Sequence, residues 1–184
     1  SGPFDNYSFR LGNRLLNNDS KAAGLEITLQ GPILKFSCDT KIVLTGADID
    51  AKLDGNTISI NDVINIKSGQ QLHLGRIHER GARTYLCVAG GIQCPDYLGA
   101  KSTFTLGQFG GHNGRALRAG DVLALNTVSC NPVIEKNILP PALKPKISNH
   151  WSLRVIYGPH GAPDFFTADD IDTFFNTDWE VHYN

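Results

Sequence analysis

The sequence predicts a mainly β chain, closed as a barrel or sandwich, with one early helix. Short apolar runs with period two recur at close spacing through the first 125 residues, the pattern of strands that bury one face. Asp54-Gly55-Asn56 separates two such runs, and these residues tolerate the positive φ that a tight hairpin demands. Only one segment before residue 150 follows the helical period, which argues against an alternating α/β sheet.

That segment has apolar residues at 4, 7, 11 and 15, with others at 9 and 16, so a helix is expected over residues 6–16 with Asp5 as its N-cap. Asn17-Asn18-Asp19 stops it. Strands are expected at 25–29, 33–37 and 41–45, with Gly31-Pro32 breaking the chain between the first two. The Asp54-Gly55 hairpin joins 51–53 to 57–59, and strands at 71–74 and 84–89 flank a polar loop from 76 to 82. Gly90-Gly91 ends the last of these, and 121–125 reads as one more strand. Residues 126–149 carry prolines at 132, 140, 141 and 145 and few periodic apolars, the composition of a linker. Trp151 to Ile156 begins new structure, and Thr167-Ala168-Asp169-Asp170 caps a short helix running through Phe174-Phe175. The expected organisation is therefore a barrel over 1–125, a linker over 126–149 and the beginning of a second, truncated subdomain over 150–184.

A chain of 184 residues buries a real core. With 41% hydrophobic and 19% charged residues and a net charge of -1, it falls among globular proteins and lacks the basic excess of a nucleic-acid surface. No apolar run approaches the roughly 18 residues that span a bilayer, so neither nucleic acid nor membrane is an expected partner. Opening on Ser1-Gly2-Pro3 without a Met anywhere, the chain reads as a piece of something longer, and Trp179 to Asn184 as a strand cut short of its partner. Cysteines at 38, 87, 94 and 130 show no paired short spacing, which suits a reducing cytosol. Cys38 and Cys87 sit in apolar runs and are expected to be buried.

The stretch 97–121 contains no acid between Asp96 and Asp121, while Lys101, Arg115 and Arg118 supply positive charge. Ser102, Thr103, Thr105, Gln108, His112 and Asn113 add neutral hydrogen-bonding groups, and glycines stand at 99, 107, 110, 111 and 114. Donors of this kind suit an oxygen-rich or anionic guest; a turn-rich connection accounts for the same glycines. In Gly110-Gly111-His112-Asn113-Gly114-Arg115, fixed donors would polarise a carbonyl or hold an oxyanion. Alternatively, Arg115 pairs with a structural acid such as Asp121. Lys101 is either a base kept neutral by burial or a solvated cation. Asp5 is a helix cap or a polar anchor at the site. The six histidines include no ligand cluster, so no metal is expected. Neither a phosphate loop nor a nucleophile turn is present.

Several spellings carry a family resemblance: Ser1-Gly2-Pro3-Phe4-Asp5, Leu25-Glu26-Ile27-Thr28-Leu29 with Gly31-Pro32, Val88-Ala89-Gly90-Gly91-Ile92, Tyr97-Leu98-Gly99 with Lys101-Ser102-Thr103-Phe104, and Phe109-Gly110-Gly111-His112 followed by Gly114-Arg115 and Gly120-Asp121. In this order, over nearly the whole chain, they resemble the carboxyltransferase region of urea carboxylase, found in fungi within urea amidolyase. A related bacterial family, with a 5-oxoprolinase subunit and a regulator of a sporulation kinase inhibitor, shares the framework and supplies the alternative of a protein-binding module. The resemblance implies a cyclophilin-like β-barrel and transfer of a carboxyl group from carboxybiotin to urea, giving allophanate. It implies biotin on a separate carrier domain, ATP at another domain, neither held stably by this piece, and the remaining carboxyltransferase half as partner. Lys101, His112 and Arg115 are then the expected catalytic residues, with Tyr97, Ser102, Thr103, Asn113 and Asp5 binding substrate. Ala100 stands where family members more often carry Ser. The region of the family extends past both ends of this sequence, so the piece alone is expected to be inactive.

Overall fold

The computed structural model describes residues 2–126, 139–161 and 164–180. Helix α1 spans Asn6–Leu15, and the Asp5 side chain caps it by accepting from the Ser8 amide at 3.0 Å. Its buried face is Ser8, Gly12, Asn13 and Leu15, whereas Phe4 and Tyr7 are exposed. The apolar stripe thus points less squarely inward than its spacing predicts, because close approach selects small residues. A Cβ at Gly12 would lie 2.8 Å from Cys87 Sγ and 3.1 Å from Thr45 Oγ1, so only glycine lets the helix settle this deep.

Eight strands follow among the described residues: β1 Leu25–Thr28, β2 Ile33–Lys35, β3 Thr40–Gly46, β4 Ile49–Leu53, β5 Asn56–Thr57, β6 Ile64–Ile66, β7 Gln71–Ile77 and β8 Arg83–Val88. They form two antiparallel four-stranded sheets, ordered β1-β8-β3-β6 and β2-β7-β4-β5. The β4–β5 hairpin turns on Asp54 (φ 48°) and Gly55 (φ 85°), the pair of positive φ values that matches strand twist. The fold is mainly β, as expected, with few helices. Residues 121–125, expected as a strand, contribute only a single bridge from Leu125 to Ile92.

Alternation along β3 and β8 divides the core. Ile42, Leu44, Leu86 and Val88 face the second sheet and pack with Ile49, Ala51, Leu72 and Leu74. Each such side chain contributes about 1.5–3 kcal/mol on burial. Val43 and Cys87 point the other way and pack with Leu15, Leu16 and Leu139. Leu139 comes from the segment with linker-like composition, and Tyr7 Oη donates to the Leu143 carbonyl at 2.7 Å, beside a 3-10 turn at Pro141–Leu143. Burial pushes the Cys87 thiol up to about 12. Cys38, expected inside, is exposed, because Phe36 takes the core position and the chain turns away after it.

Polar groups inside the helix layer are paired. Thr45 Oγ1 donates to the Ser8 carbonyl at 2.7 Å. The buried Tyr85 hydroxyl accepts from the Asp5 amide at 2.7 Å and donates to Glu26 Oε2 at 3.0 Å; desolvation holds its pKa well above the usual phenol range.

The chain divides into compact units at Ser1–Asn149 and His150–Asn184. In the second, α2 spans Ala168–Asn176 behind a capping box formed by Thr167 and Asp170. Trp179 Nε1 donates to the Phe174 carbonyl at 2.9 Å. Residues 151–157 form no strand, and the terminal stretch expected to be one falls mostly outside the described residues, as does Cys130. Among the described residues, no helix is long and apolar enough to cross a membrane.

Candidate functional site: a glycine-rich loop and its cavity

Beyond β8 the chain turns at Gly90 and Gly91, and the Asn18 side chain fixes this turn by accepting from the Gly90 amide at 2.8 Å. The Asn126 side chain donates to the Gly90 carbonyl at 2.9 Å. Gln93 N donates to the Ala124 carbonyl at 2.8 Å, and Asn126 N to the Gly91 carbonyl at 3.0 Å. These bonds zip the outgoing and returning segments together, so everything between them is one loop closed at its base.

Within it, Tyr97 and Ala100 exchange backbone bonds of 2.8 and 3.1 Å around Leu98 (φ 51°) and Gly99 (φ 74°). Phe104 and Phe109 do the same at 2.9 and 3.3 Å. Their rings lie 5.1 Å apart, and Tyr97 stacks on Phe109 at 4.9 Å. Gly114, at φ 64°, backs onto the Gln108 carbonyl, where a Cβ would collide with backbone. Its amide donates to the Gly110 carbonyl at 2.9 Å and the Arg115 amide to the His112 carbonyl at 3.4 Å, which makes 110–115 a tight turn with His112 and Arg115 at its end.

Asp121 closes that turn. Arg115 Nη1 and Nη2 donate to its two oxygens at 2.8 Å each, and the Arg118 amide adds a third bond at 2.8 Å. His112 Nε2 lies 3.6 Å from Asp121 Oδ1. The Arg115 guanidinium, followed by the Arg118 amide, holds the Asp121 carboxyl well below the usual carboxylate range. Asp121 in turn raises the Arg115 pKa.

Beside the turn is an open cavity of about 490 Å³ whose wall includes Gln93, Cys94, Lys101, His112, Leu123 and Asn126 and, among the described residues, no acidic side chain. Cys94 Sγ donates to the Lys101 carbonyl at 3.4 Å, and burial raises its pKa despite the nearby Lys101 charge. The wall therefore offers one cation, an imidazole, two amides and a neutral thiol. Such a lining accepts an uncharged or anionic group rich in oxygen. Among the described residues, no group of three or more His, Cys, Asp or Glu lies together to hold a metal.

The family model for the carboxyltransferase domain, subdomains A and B, matches residues 1–184. The chain belongs to this carboxyltransferase family. Urea amidolyase of Saccharomyces cerevisiae is 46% identical over 189 residues, covering 100% of this chain and 10% of that protein. The urea carboxylase structure of Kluyveromyces lactis is 45% identical with a TM-score of 0.91, covering 100% of this chain and 17% of that one. A 5-oxoprolinase subunit of Escherichia coli is 40% identical over 124 residues, covering 67% of this chain and 40% of that protein. The chain thus spans only about a tenth of the length of the curated urea amidolyase it matches.

In this carboxyltransferase chain, Lys101 and His112 share the cavity wall. Arg115 is committed to Asp121. Tyr97 belongs to the aromatic stack, and Asn113 is exposed at φ 56° directly after His112. Thr103 packs beside Gly111 and the Ser102 carbonyl beside Gly110, so both brace the turn from behind. Asp5 caps α1, its carboxylate accepting from the Ser8 amide and hydroxyl. Gln93, Cys94 and Asn126 line the cavity, although nothing in the sequence singles them out. Their placement depends on the pairing of 91–94 with 124–126, for which one short apolar run gives no signal.

Proposed function

We propose that this chain is part of the carboxyltransferase domain of a urea carboxylase, which moves a carboxyl group from carboxybiotin to urea to give allophanate. The observation that carries the reading is full coverage of this chain by urea carboxylase at 45% identity and a TM-score of 0.91. The cavity suits the guest: its wall, free of acids among the described residues, faces ureido and carboxylate oxygens without repulsion, and Leu123 offers an apolar patch to the rest of a bicyclic ring. Biotin, on a carrier domain elsewhere in the full-length chain, supplies an activated N-carboxyl group when bound, and ATP is consumed at a further domain.

Lys101 holds the carboxylate oxygens as the carbon–nitrogen bond to urea forms, stabilising charge by a fixed cation. His112 accepts the proton that the attacking urea nitrogen loses, and with biotin bound it would be the group that holds this proton for the ureido nitrogen. Gln93 and Asn126 orient urea by its carbonyl and amide edges. Ser102, Thr103, Asn113 and Tyr97 shape the loop that presents these groups, and Asp5 anchors the helix that packs on β3 and β8. The remaining carboxyltransferase half supplies the facing wall, so residues 1–184 alone show no measurable transfer. The free Cys38, Cys87 and Cys94 fit a cytoplasmic setting.

The test uses the full-length protein with Lys101→Ala and His112→Ala. Urea-dependent ATP turnover is expected to fall at least about 100-fold in each, while ATP-dependent carboxylation of carrier biotin continues. Unchanged urea-dependent turnover in both would sink the assignment of the cavity. The match to a 5-oxoprolinase subunit favours a second reading, a 5-oxoproline-processing subunit or regulatory binding module. Turnover of the wild-type protein that responds to 5-oxoproline and not to urea would establish the 5-oxoproline reading.

A further inference from the structure

We propose that Asp121 is the positioning residue of this site, charge-balanced by Arg115, and that Arg115 acts through Asp121 on His112 instead of binding substrate oxygens. The inference rests on the carboxyltransferase reading of the same cavity. Three observations converge on it. First, three of the five Arg115 donors are committed: Nη1 serves Asp121 Oδ2 and the Ala116 carbonyl, and Nη2 serves Asp121 Oδ1. Planar bidentate pairing of this kind fixes direction as well as distance.

Second, His112 lines the cavity whereas Asp121 and Arg115 do not. Asp121 adjoins His112 from outside that lining, its side chain only 15% exposed, and Arg115 pairs with it there. Third, the one Asp121 oxygen not shared with the Arg118 amide is the one facing His112 Nε2, at 3.6 Å. That separation is a charge contact, longer than a direct hydrogen bond. It biases the imidazole proton toward Nε2, which leaves Nδ1 as the ring's acceptor.

The arrangement solves an electrostatic problem. An unbalanced carboxylate beside the wall would repel the carboxyl group being transferred, and the Arg115 guanidinium cancels that charge while leaving its orienting effect at short range. A tight turn makes the coupling rigid, since the Arg115 amide donates to the His112 carbonyl at 3.4 Å. Removal of either partner therefore misplaces the same imidazole. Lys101 supplies the only formal cation of the cavity wall among the described residues, so the substrate oxygens need not compete with Asp121 for Arg115.

The experiment is a double-mutant cycle in the full-length protein with Arg115→Ala, Asp121→Asn and both, read as kcat and urea KM of urea-dependent turnover. Asp121→Asn keeps an acceptor for the Arg118 amide. Carboxylation of carrier biotin by the same preparations reports that the other domains are intact, and unchanged hydrogen-exchange protection of β3 and β8 reports that this chain is folded. Each single variant is expected to lower kcat about 10- to 100-fold with urea KM within about twofold, and the double variant to be no worse than Asp121→Asn. Arg115→Lys restores only part of the activity, because an ammonium lacks the fork. Additive losses, or a raised urea KM with kcat preserved in Arg115→Ala, would show direct substrate binding and overturn the proposal.

A readout independent of turnover is acylation of histidines by diethyl pyrocarbonate, mapped by peptide mass. His112 labelling should rise about threefold or more in both single variants once its ring is released, with His78 as internal standard; unchanged His112 labelling also overturns the proposal. Absence of urea-dependent turnover in the wild-type protein would instead count against the urea carboxylase reading and leave the labelling result to decide the positioning role.

Discussion

Between the sheets, Ile42, Leu44, Leu72, Leu74 and Leu86 are each at most 1% exposed, whereas in the loop over 97–121 Gly114 alone is buried. The first region is held by many interchangeable apolar contacts, each modest and all redundant. The second has almost no core. Its shape depends on a few positive-φ residues, one aromatic stack and one ion pair. Damage in the sheets is therefore shared and shows as stability, while damage in the loop is local and shows as activity.

Leu44→Ala is the harshest way to probe the first region. It empties space between the sheets and is expected to cost about 2–5 kcal/mol, seen as earlier unfolding in guanidinium and lost hydrogen-exchange protection in β3 and β8. Protection that stays intact would mean that the core is less continuous than its packing indicates.

Gly114→Ala probes the second. Strain at φ 64° and collision with the Gln108 backbone are expected to cost about 1–3 kcal/mol locally. Urea-dependent turnover of the full-length protein should fall at least about tenfold, with β8 protection unchanged. Parallel loss of β8 protection would show the two regions to be one cooperative unit.

Acid is the mildest probe. The Asp121 pKa is depressed in the folded loop, so its contribution is present above the unfolded value of about 3.9 and is lost as pH falls below it. Hydrogen-exchange protection over 97–121, taken relative to the intrinsic rate at each pH, should fall below about pH 4 while β3 and β8 stay protected. Equal sensitivity of loop and sheets would remove the distinction.

The regular elements are legible in the sequence where one local rule decides. Asp5 before a helical period marks α1, and Asp54-Gly55-Asn56 marks the β4–β5 hairpin, because cap and turn chemistry act over three or four residues. β6 escapes such a reading: Ile64–Ile66 is too brief for alternation to register. Cys38 is misplaced by it because an apolar run does not reveal where its chain turns outward. At the site, the absence of acids between 96 and 121 and the Arg115–Asp121 option are both directly readable. The cavity is not, since its wall is assembled from 93–95, 101, 112, 122–124 and 126, and only the fold brings those segments together.

The zipper at the base of the loop has one further consequence. Because Ile92 pairs with both Ala23 and Leu125, the loop enters and leaves the body at a single staple. For such a closed segment the entropy of closure grows only logarithmically, with each doubling of length costing about 0.6 kcal/mol. The region between the staple's ends is thus open to insertion, deletion and rewriting at little cost to the sheets. A scaffold built this way lets chemistry diversify while architecture stands still, which fits relatives named for both urea carboxylase and 5-oxoprolinase.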